Sequence, residues 1–192
     1  MRSPVLCLVT ILLASSAVAA HAAGSSRTLA VNAGLAVPAG DLSNEVGSGY
    51  LLGATYCYQF NDQFGLGIDG NYLALGEKDI SSVAKERLTG GQGSLFGRYF
   101  LPVKDFPVAP YLKLGLYNYR LGFKTKTTIA GRSQESTSKQ SKNGFGFGAG
   151  GIRKLNDRSS VGLELIYSTF DTNQGSAGLF SIALSYRYRV GK

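Results

Sequence analysis

Charge and long apolar runs are both scarce in this chain. Only 17% of its 192 residues are Asp, Glu, Lys or Arg, whereas a typical soluble domain has about 25%. Beyond the N-terminal segment, no run reaches the roughly 18 apolar residues that a membrane-spanning helix requires. The low charge therefore indicates a surface that does not meet only water, and the short runs exclude spanning helices as the reason.

Histidine and cysteine are also rare, which restricts the available chemistry. His21 is the single histidine, and it lies with Cys7 in an N-terminal segment that we expect to be removed. The remaining chain lacks the histidine of Ser-His catalysis and of most transition-metal sites. Cys57 then has no partner for an intramolecular disulfide. We therefore expect no enzyme activity, no catalytic residue and no metal site.

The first 22 residues have the features of a secretory signal peptide. Arg2 gives a positive start, residues 5–14 are apolar with one exception, and Ala20 and Ala22 occupy the positions that signal peptidase recognises. We predict cleavage after Ala22, with an uncleaved signal anchor as the alternative. Residues 1–22 would then be the signal peptide and residues 23–192 a single barrel domain.

What the sequence does contain is alternation with a period of two residues, which is the pattern of β-strands. It is clearest over residues 177–190, where bulky apolar residues alternate with Ser, Ala and Arg. Residues 110–123 are apolar on both faces, which suggests a bulge or a register change there. We predict eight strands, at residues 27–37, 49–60, 63–74, 89–101, 110–123, 143–154, 160–170 and 177–190.

The connections between these strands alternate in length. Short turns lie at residues 61–62, 104–107 and 155–159, and longer polar loops lie at residues 38–48, 75–88, 124–142 and 171–176. An up-and-down barrel with both termini at the short-turn end produces this order, and outer-membrane barrels have short periplasmic turns and longer extracellular loops. The 124–142 loop is rich in Ser, Thr and Gln, which favours mobility.

The composition of the two strand faces distinguishes a membrane barrel from a soluble one. One face carries Phe, Tyr, Leu, Val and Ile, and the other carries Gly, Ala, Ser and Thr with a few charges. Eight strands leave an interior just wide enough for side chains, so we expect small residues inside and bulky residues against lipid. The predicted fold is an all-β, eight-stranded antiparallel up-and-down transmembrane β-barrel in the bacterial outer membrane.

Aromatic residues near the strand ends suit the two interfacial girdles of such a barrel. The candidates are Phe60, Phe64, Tyr99, Tyr111, Tyr186 and Tyr188 at the short-turn end, and Tyr50, Tyr72, Phe145, Phe170 and Phe180 at the loop end.

Several segments together resemble a known family. They are the strand Gly144-Phe145-Gly146-Phe147-Gly148-Ala149-Gly150, the turn Leu155-Asn156-Asp157-Arg158, the strand Val161-Gly162-Leu163-Glu164, and the alternating C-terminal strand. Over nearly all of residues 24–192 the chain resembles the small OmpA-like outer-membrane barrels, which include the OmpA membrane anchor, OmpX and opacity-type surface proteins. The resemblance implies contact with outer-membrane lipid and lipopolysaccharide, and insertion by the barrel-assembly machinery.

A few charged residues fall on the face that we assign to the barrel interior. They are Asp69, Arg98, Glu164 and Arg187, and an unpaired charge in a narrow barrel is costly. We predict that these four residues form one network that closes the lumen. Cys57 falls on the same face and is expected to be an interior packing residue.

The 124–142 loop carries five basic residues against one acid, Glu135. One interpretation is a solvated loop. The other is that the basic residues contact phosphates of lipopolysaccharide, or acidic host or envelope polysaccharide. They are Lys124, Lys126, Arg132, Lys139 and Lys142.

The leading functional prediction is a non-enzymatic outer-membrane barrel that presents four surface loops, with a structural or surface-interaction role such as adhesion or envelope integrity. A narrow passive channel for small solutes is the alternative, and a soluble periplasmic ligand-binding barrel is a third.

Glycine patterns at residues 65–70 and 146–151 match the dinucleotide fingerprint but lie inside strands with no helix following. We therefore expect no cofactor and no nucleic-acid partner. A closed barrel leaves no unpaired edge, so we expect a monomer.

Overall fold

The computed structural model describes residues 25–81, 84–103, 105–129, 132–172 and 175–190. The predicted signal peptide and its cleavage site lie outside these residues. The elements in the described ranges are β1 (Ser26–Gly40), α1 (Leu42–Glu45), β2 (Gly47–Gln59), β3 (Phe64–Gly76), β4 (Lys78–Ser81), β5 (Ala84–Phe100), β6 (Ala109–Ile129), β7 (Arg132–Lys154), β8 (Ser159–Thr172) and β9 (Gly175–Val190).

Eight of the strands close into a barrel. Their order is β3-β2-β1-β9-β8-β7-β6-β5, and a further pairing between β3 and β5 completes the ring. All of these pairings are antiparallel, and β1 pairs with β9 to join the two ends of the chain. Strand β4 pairs with the first residues of β5, so it extends one hairpin and is not a wall strand. The predicted eight-stranded up-and-down barrel is confirmed.

The outer surface of the barrel is a belt of bulky apolar side chains, as the alternation predicts. Leu114, Leu116 and Leu184 are each about two-thirds exposed, because nothing in the protein covers them. Such a continuous apolar surface would be unstable in water and matches the lipid-facing band of a membrane barrel. In the described part of the chain, no helix is long and apolar enough to span a membrane.

The barrel interior differs from the prediction that small residues fill it. Tyr111 and Phe170, predicted to lie in the interfacial girdles, are 1% and 4% exposed and point into the lumen. Glycines on the neighbouring strands make room for the rings: a Cβ on Gly150 would lie 2.5 Å from the Tyr111 hydroxyl oxygen. Residues 110–123 are apolar on both faces because the inner face carries rings. The suggested bulge there is wrong, since β6 pairs with both neighbours in continuous register.

The strands at the loop end are longer than predicted. Strands β6 and β7 pair without interruption up to Ile129 and Arg132, so most of the loop expected at 124–142 is a β-hairpin that extends beyond the barrel wall. Residues 84–88 belong to β5, and Thr172 pairs with Gly175 where a loop was expected. These hairpins are polar on both faces, so apolar alternation gives no signal, although Thr favours strands.

The one-turn helix α1 folds over the loop end of the barrel. Gly40 has a φ of 61°, a backbone conformation that glycine adopts at little cost, and it turns the chain from β1 into the helix. Ser43 Oγ donates a 2.7 Å hydrogen bond to the Gly40 carbonyl oxygen. Leu42 and Val46 are consequently buried against leucines of the neighbouring strands.

Candidate functional site

The charged side chains inside the barrel meet one another across the lumen. Strands β3, β5, β6 and β8 each contribute one of them: Asp69, Arg98, Lys113 and Glu164. Lys113 Nζ lies 2.7 Å from Asp69 Oδ2 and 2.9 Å from Glu164 Oε1, and Arg98 Nη2 lies 2.9 Å from Glu164 Oε2. Lys113 therefore joins two acids on opposite sides of the lumen.

Neutral donors complete the hydrogen bonding of Asp69. Thr55 Oγ1 donates to Oδ1 at 2.6 Å, and Ser94 Oγ donates to Oδ2 at 2.9 Å. Asn32 Nδ2 in turn donates to Thr55 Oγ1 at 2.7 Å. A buried carboxylate is tolerated when it is paired and hydrogen-bonded in this way, and residues of β2, β5 and β6 bond Asp69 directly.

Aromatic rings surround the cations of the same layer. The Arg98 guanidinium lies 4.7 Å from the centre of the Phe96 ring and 4.8 Å from that of Tyr111, and Lys113 Nζ lies 4.1 Å from the Phe96 ring centre. The Tyr111 hydroxyl also donates to Glu164 Oε2 at 2.7 Å. Cation–π contact and hydrogen bonding thus replace the water that these charges lose.

The structure brings together three of the four residues predicted to form the network. Arg98 pairs directly with Glu164, and Asp69 joins them through Lys113. Arg187 forms no ion pair with the described residues; its Nε donates to Ser185 Oγ at 3.0 Å and its Nη2 to the Tyr111 hydroxyl at 3.3 Å.

Lys113 is the residue that sequence reasoning missed. Its segment is apolar on both faces, so alternation alone did not say which face is inside. Leu112, Leu114 and Leu116 form a row of bulky residues that the structure places on the lipid side. That row was the available signal, because it assigns the residue between two of the leucines to the lumen.

An apolar layer fills the lumen on the loop side of the charged layer. Tyr119 packs on Phe170 with 4.7 Å between ring centres, and its hydroxyl donates to Ser168 Oγ at 2.5 Å. Buried aliphatic residues of β2, β3, β5, β6, β8 and β9 surround these rings, and α1 covers them from the loop end. The interior is therefore closed by two layers in series. Cys57 is a buried free thiol on the inner face.

The five basic residues predicted to contact anions fall on different faces of the long β6–β7 hairpin. Lys124, Lys126 and Lys139 are exposed and lie on the face continuous with the lipid-facing side of β6. Lys142 pairs with the inward-facing Tyr119 and so lies on the opposite face. The side chain of Arg132 lies outside the described residues.

Other residues extend the outward basic face. Arg120 lies on it, and Arg87 of β5 pairs directly with Lys124. A cavity of about 540 Å³ opens on this hairpin, lined by Arg120, Lys124 and Lys139 among others, with Gly122 between them. We call this feature the basic groove. Within the described residues, no cluster of three or more His, Cys, Asp or Glu could hold a metal ion.

Comparison with known proteins places this geometry in a family. The family model described as outer membrane protein beta-barrel domain matches residues 8–188. Comparison with curated proteins gives no match.

Three solved structures show the same fold. Neisserial surface protein A is 16% identical, with a TM-score of 0.58 over 86% of this chain and 98% of that one. The N-terminal β-barrel domain of Pseudomonas aeruginosa OprF is 14% identical, with a TM-score of 0.55 over 87% and 100%. A major outer membrane protein from Thermus thermophilus is 12% identical, with a TM-score of 0.59 over 85% and 99%. The resemblance to small outer-membrane barrels is confirmed.

Proposed function

Because the chain belongs to the outer membrane protein β-barrel domain family, we propose that it is a non-enzymatic barrel with a closed lumen that acts through its outer-leaflet side. The observation that carries this proposal is the ion-paired layer around Lys113, which lies in series with the apolar layer of Tyr119 and Phe170. Two carboxylates hold the Lys113 side chain across the lumen, where it blocks the path of solutes. The closed lumen therefore favours a surface role over the channel alternative.

The apolar belt supports a membrane location over the soluble alternative. A ligand-binding barrel in the periplasm would carry polar residues outside and a cavity inside, whereas this one has exposed leucines outside and filled layers inside. The proposed location is the outer membrane, reached after removal of the predicted signal peptide. The closed ring of strand pairing supports a monomer.

The basic groove is the surface that we assign to the interaction. Arg120 is four residues beyond the last leucine of the β6 lipid face, Leu116, which places it roughly 10 Å above the apolar belt for a tilted strand. Lys124 and Lys139 lie further out on the same face. Phosphate groups of the outer-leaflet lipopolysaccharide occupy this depth, and exposed cations there would attract them. Lipopolysaccharide, and not free polysaccharide, is therefore the proposed ligand.

The test is a binding measurement on the protein refolded in detergent micelles. The triple variant Arg120→Glu, Lys124→Glu and Lys139→Glu should bind purified lipopolysaccharide at least tenfold more weakly, because three attractive contacts become repulsive. The control variant Arg27→Glu with Arg153→Glu reverses two exposed charges at the other end of the barrel and should bind normally. Unchanged binding by the triple variant would refute the proposed contact. Lipopolysaccharide from which the phosphates have been removed should likewise bind more weakly to the wild-type protein.

A further inference from the structure

A second cavity lies at the short-turn end of the lumen, far from the basic groove. It has a volume of about 460 Å³, and its walls are inner-face residues of the strand ends, including Thr28, Cys57, Arg98, Arg187 and Arg189. The turn that joins β7 to β8 forms part of its rim. We call this cavity the vestibule. It opens on the side that faces the periplasm in outer-membrane barrels.

Positive charge predominates around the vestibule. Arg98, Lys154, Arg158, Arg187 and Arg189 line it, against the two acids Asp62 and Asp157. Two of these cations are nearly buried, since Arg98 is 3% and Arg187 is 5% exposed. The remaining three are at the rim. The vestibule therefore combines a buried pair of arginines with an outer ring of basic residues.

Among the side chains that the structure describes, charge inside the lumen does not balance. The charged layer and Arg187 together hold three cations, Arg98, Lys113 and Arg187, against the acids Asp69 and Glu164. Both acids are engaged by Lys113 and Arg98, and Arg187 contacts neutral hydroxyls among the described residues. Arg187 thus makes no direct ion pair with the described residues, a costly arrangement for a buried cation, and it lines a cavity that is open to solvent.

We propose that the vestibule is a binding site for a phosphate group, free or carried by a small solute. The planar guanidinium presents paired donors that match the oxygens of phosphate, and Arg187 supplies it at the vestibule floor. Arg189 and Arg158 at the rim would draw the anion in, and the hydroxyl of Thr28 is available to donate to it. This site is distinct from the basic groove and does not depend on the proposed lipopolysaccharide contact.

Calorimetric titration of the full-length barrel in neutral detergent with inorganic phosphate tests the proposal. The wild type should bind phosphate saturably with one site, and chloride at equal ionic strength should not compete. Glycerol phosphate as a second titrant distinguishes the sources: equal binding indicates a phosphate carried by a small solute, and exclusion of glycerol phosphate indicates free phosphate. No saturation up to about 10 mM of either anion, which corresponds to a very weak contact, would overturn the proposal.

Three variants locate the site. Arg187→Gln should weaken phosphate binding by about tenfold or more, because it removes a charge-assisted hydrogen bond from a buried position. Arg189 is exposed, so Arg189→Gln should fold normally and should weaken phosphate binding severalfold. Arg153→Gln removes an exposed arginine at the same end but on the outer face and should bind as the wild type does. If Arg187→Gln and Arg189→Gln both bind normally, or if binding is lost in the triple basic-groove variant instead, the vestibule site is wrong.

Discussion

Replacing Lys113 by methionine should destabilise the barrel strongly. The Lys113 side chain is 1% exposed, and its Nζ lies 2.7 Å from Asp69 Oδ2 and 2.9 Å from Glu164 Oε1. Removing one partner of a buried pair typically costs about 3–5 kcal/mol, because the other charge is left buried and uncompensated. Glu164 keeps Arg98, and Asp69 keeps only neutral donors, so most of the loss should come from Asp69. We expect Lys113→Met to lower the free energy of unfolding by about 3 kcal/mol.

The assay is urea unfolding of the protein in lipid vesicles, with the folded fraction measured by the faster migration of the unboiled barrel on a denaturing gel. Lys139→Met, an exposed lysine on the neighbouring strand β7, is the matched control and should change stability by less than about 0.5 kcal/mol. Adding Asp69→Asn to Lys113→Met should recover part of the loss, because the uncompensated charge is then gone. A loss below about 1 kcal/mol, or a double variant less stable than Lys113→Met alone, would refute the reasoning.

Four further substitutions, one of them a control, test the packing and the membrane face by the same unfolding assay. Gly150→Ala should cost about 1–3 kcal/mol, because its Cβ would lie 2.5 Å from the Tyr111 hydroxyl, whereas Gly93→Ala should be nearly neutral, since its nearest neighbour would be 3.9 Å away. Tyr119→Phe removes a buried hydroxyl that bonds a serine and should cost about 1 kcal/mol; a neutral result would mean that this bond contributes nothing. Leu114→Lys places a charge on the lipid face and should cost about 2–4 kcal/mol, and a tolerated lysine would contradict the assigned orientation of β6.

The barrel itself could be predicted because its wall obeys one local rule. Along β9 every second residue faces lipid, from Phe180 to Val190, so bulk and polarity alternate with the pleat. The ring closure between β1 and β9 follows from the membrane location that this alternation indicates, because a sheet in lipid has to pair both of its edges. Alternation also placed Arg98 and Glu164 on one face, although their pairing depends on strands that are far apart in sequence.

Other features depend on neighbours that a single strand does not show. Tyr111 and Phe170 point inward because glycines across the barrel leave space for their rings, and ring size alone suggested the girdles. The β6–β7 hairpin extends to Ile129 and Arg132 by backbone pairing alone, without an apolar face. Lys113 lies between leucines, and only the row that they form shows which side meets lipid.

Conductance across a planar lipid bilayer tests the closed lumen most directly. The purified barrel should insert without producing stable single-channel currents, because the ion-paired layer around Lys113 and the ring layer of Tyr119 and Phe170 lie across the lumen in series. The ability of the same purified protein to insert is verified independently by protease protection in lipid vesicles. Large, long-lived currents from the wild-type protein would contradict a surface role and favour the channel alternative.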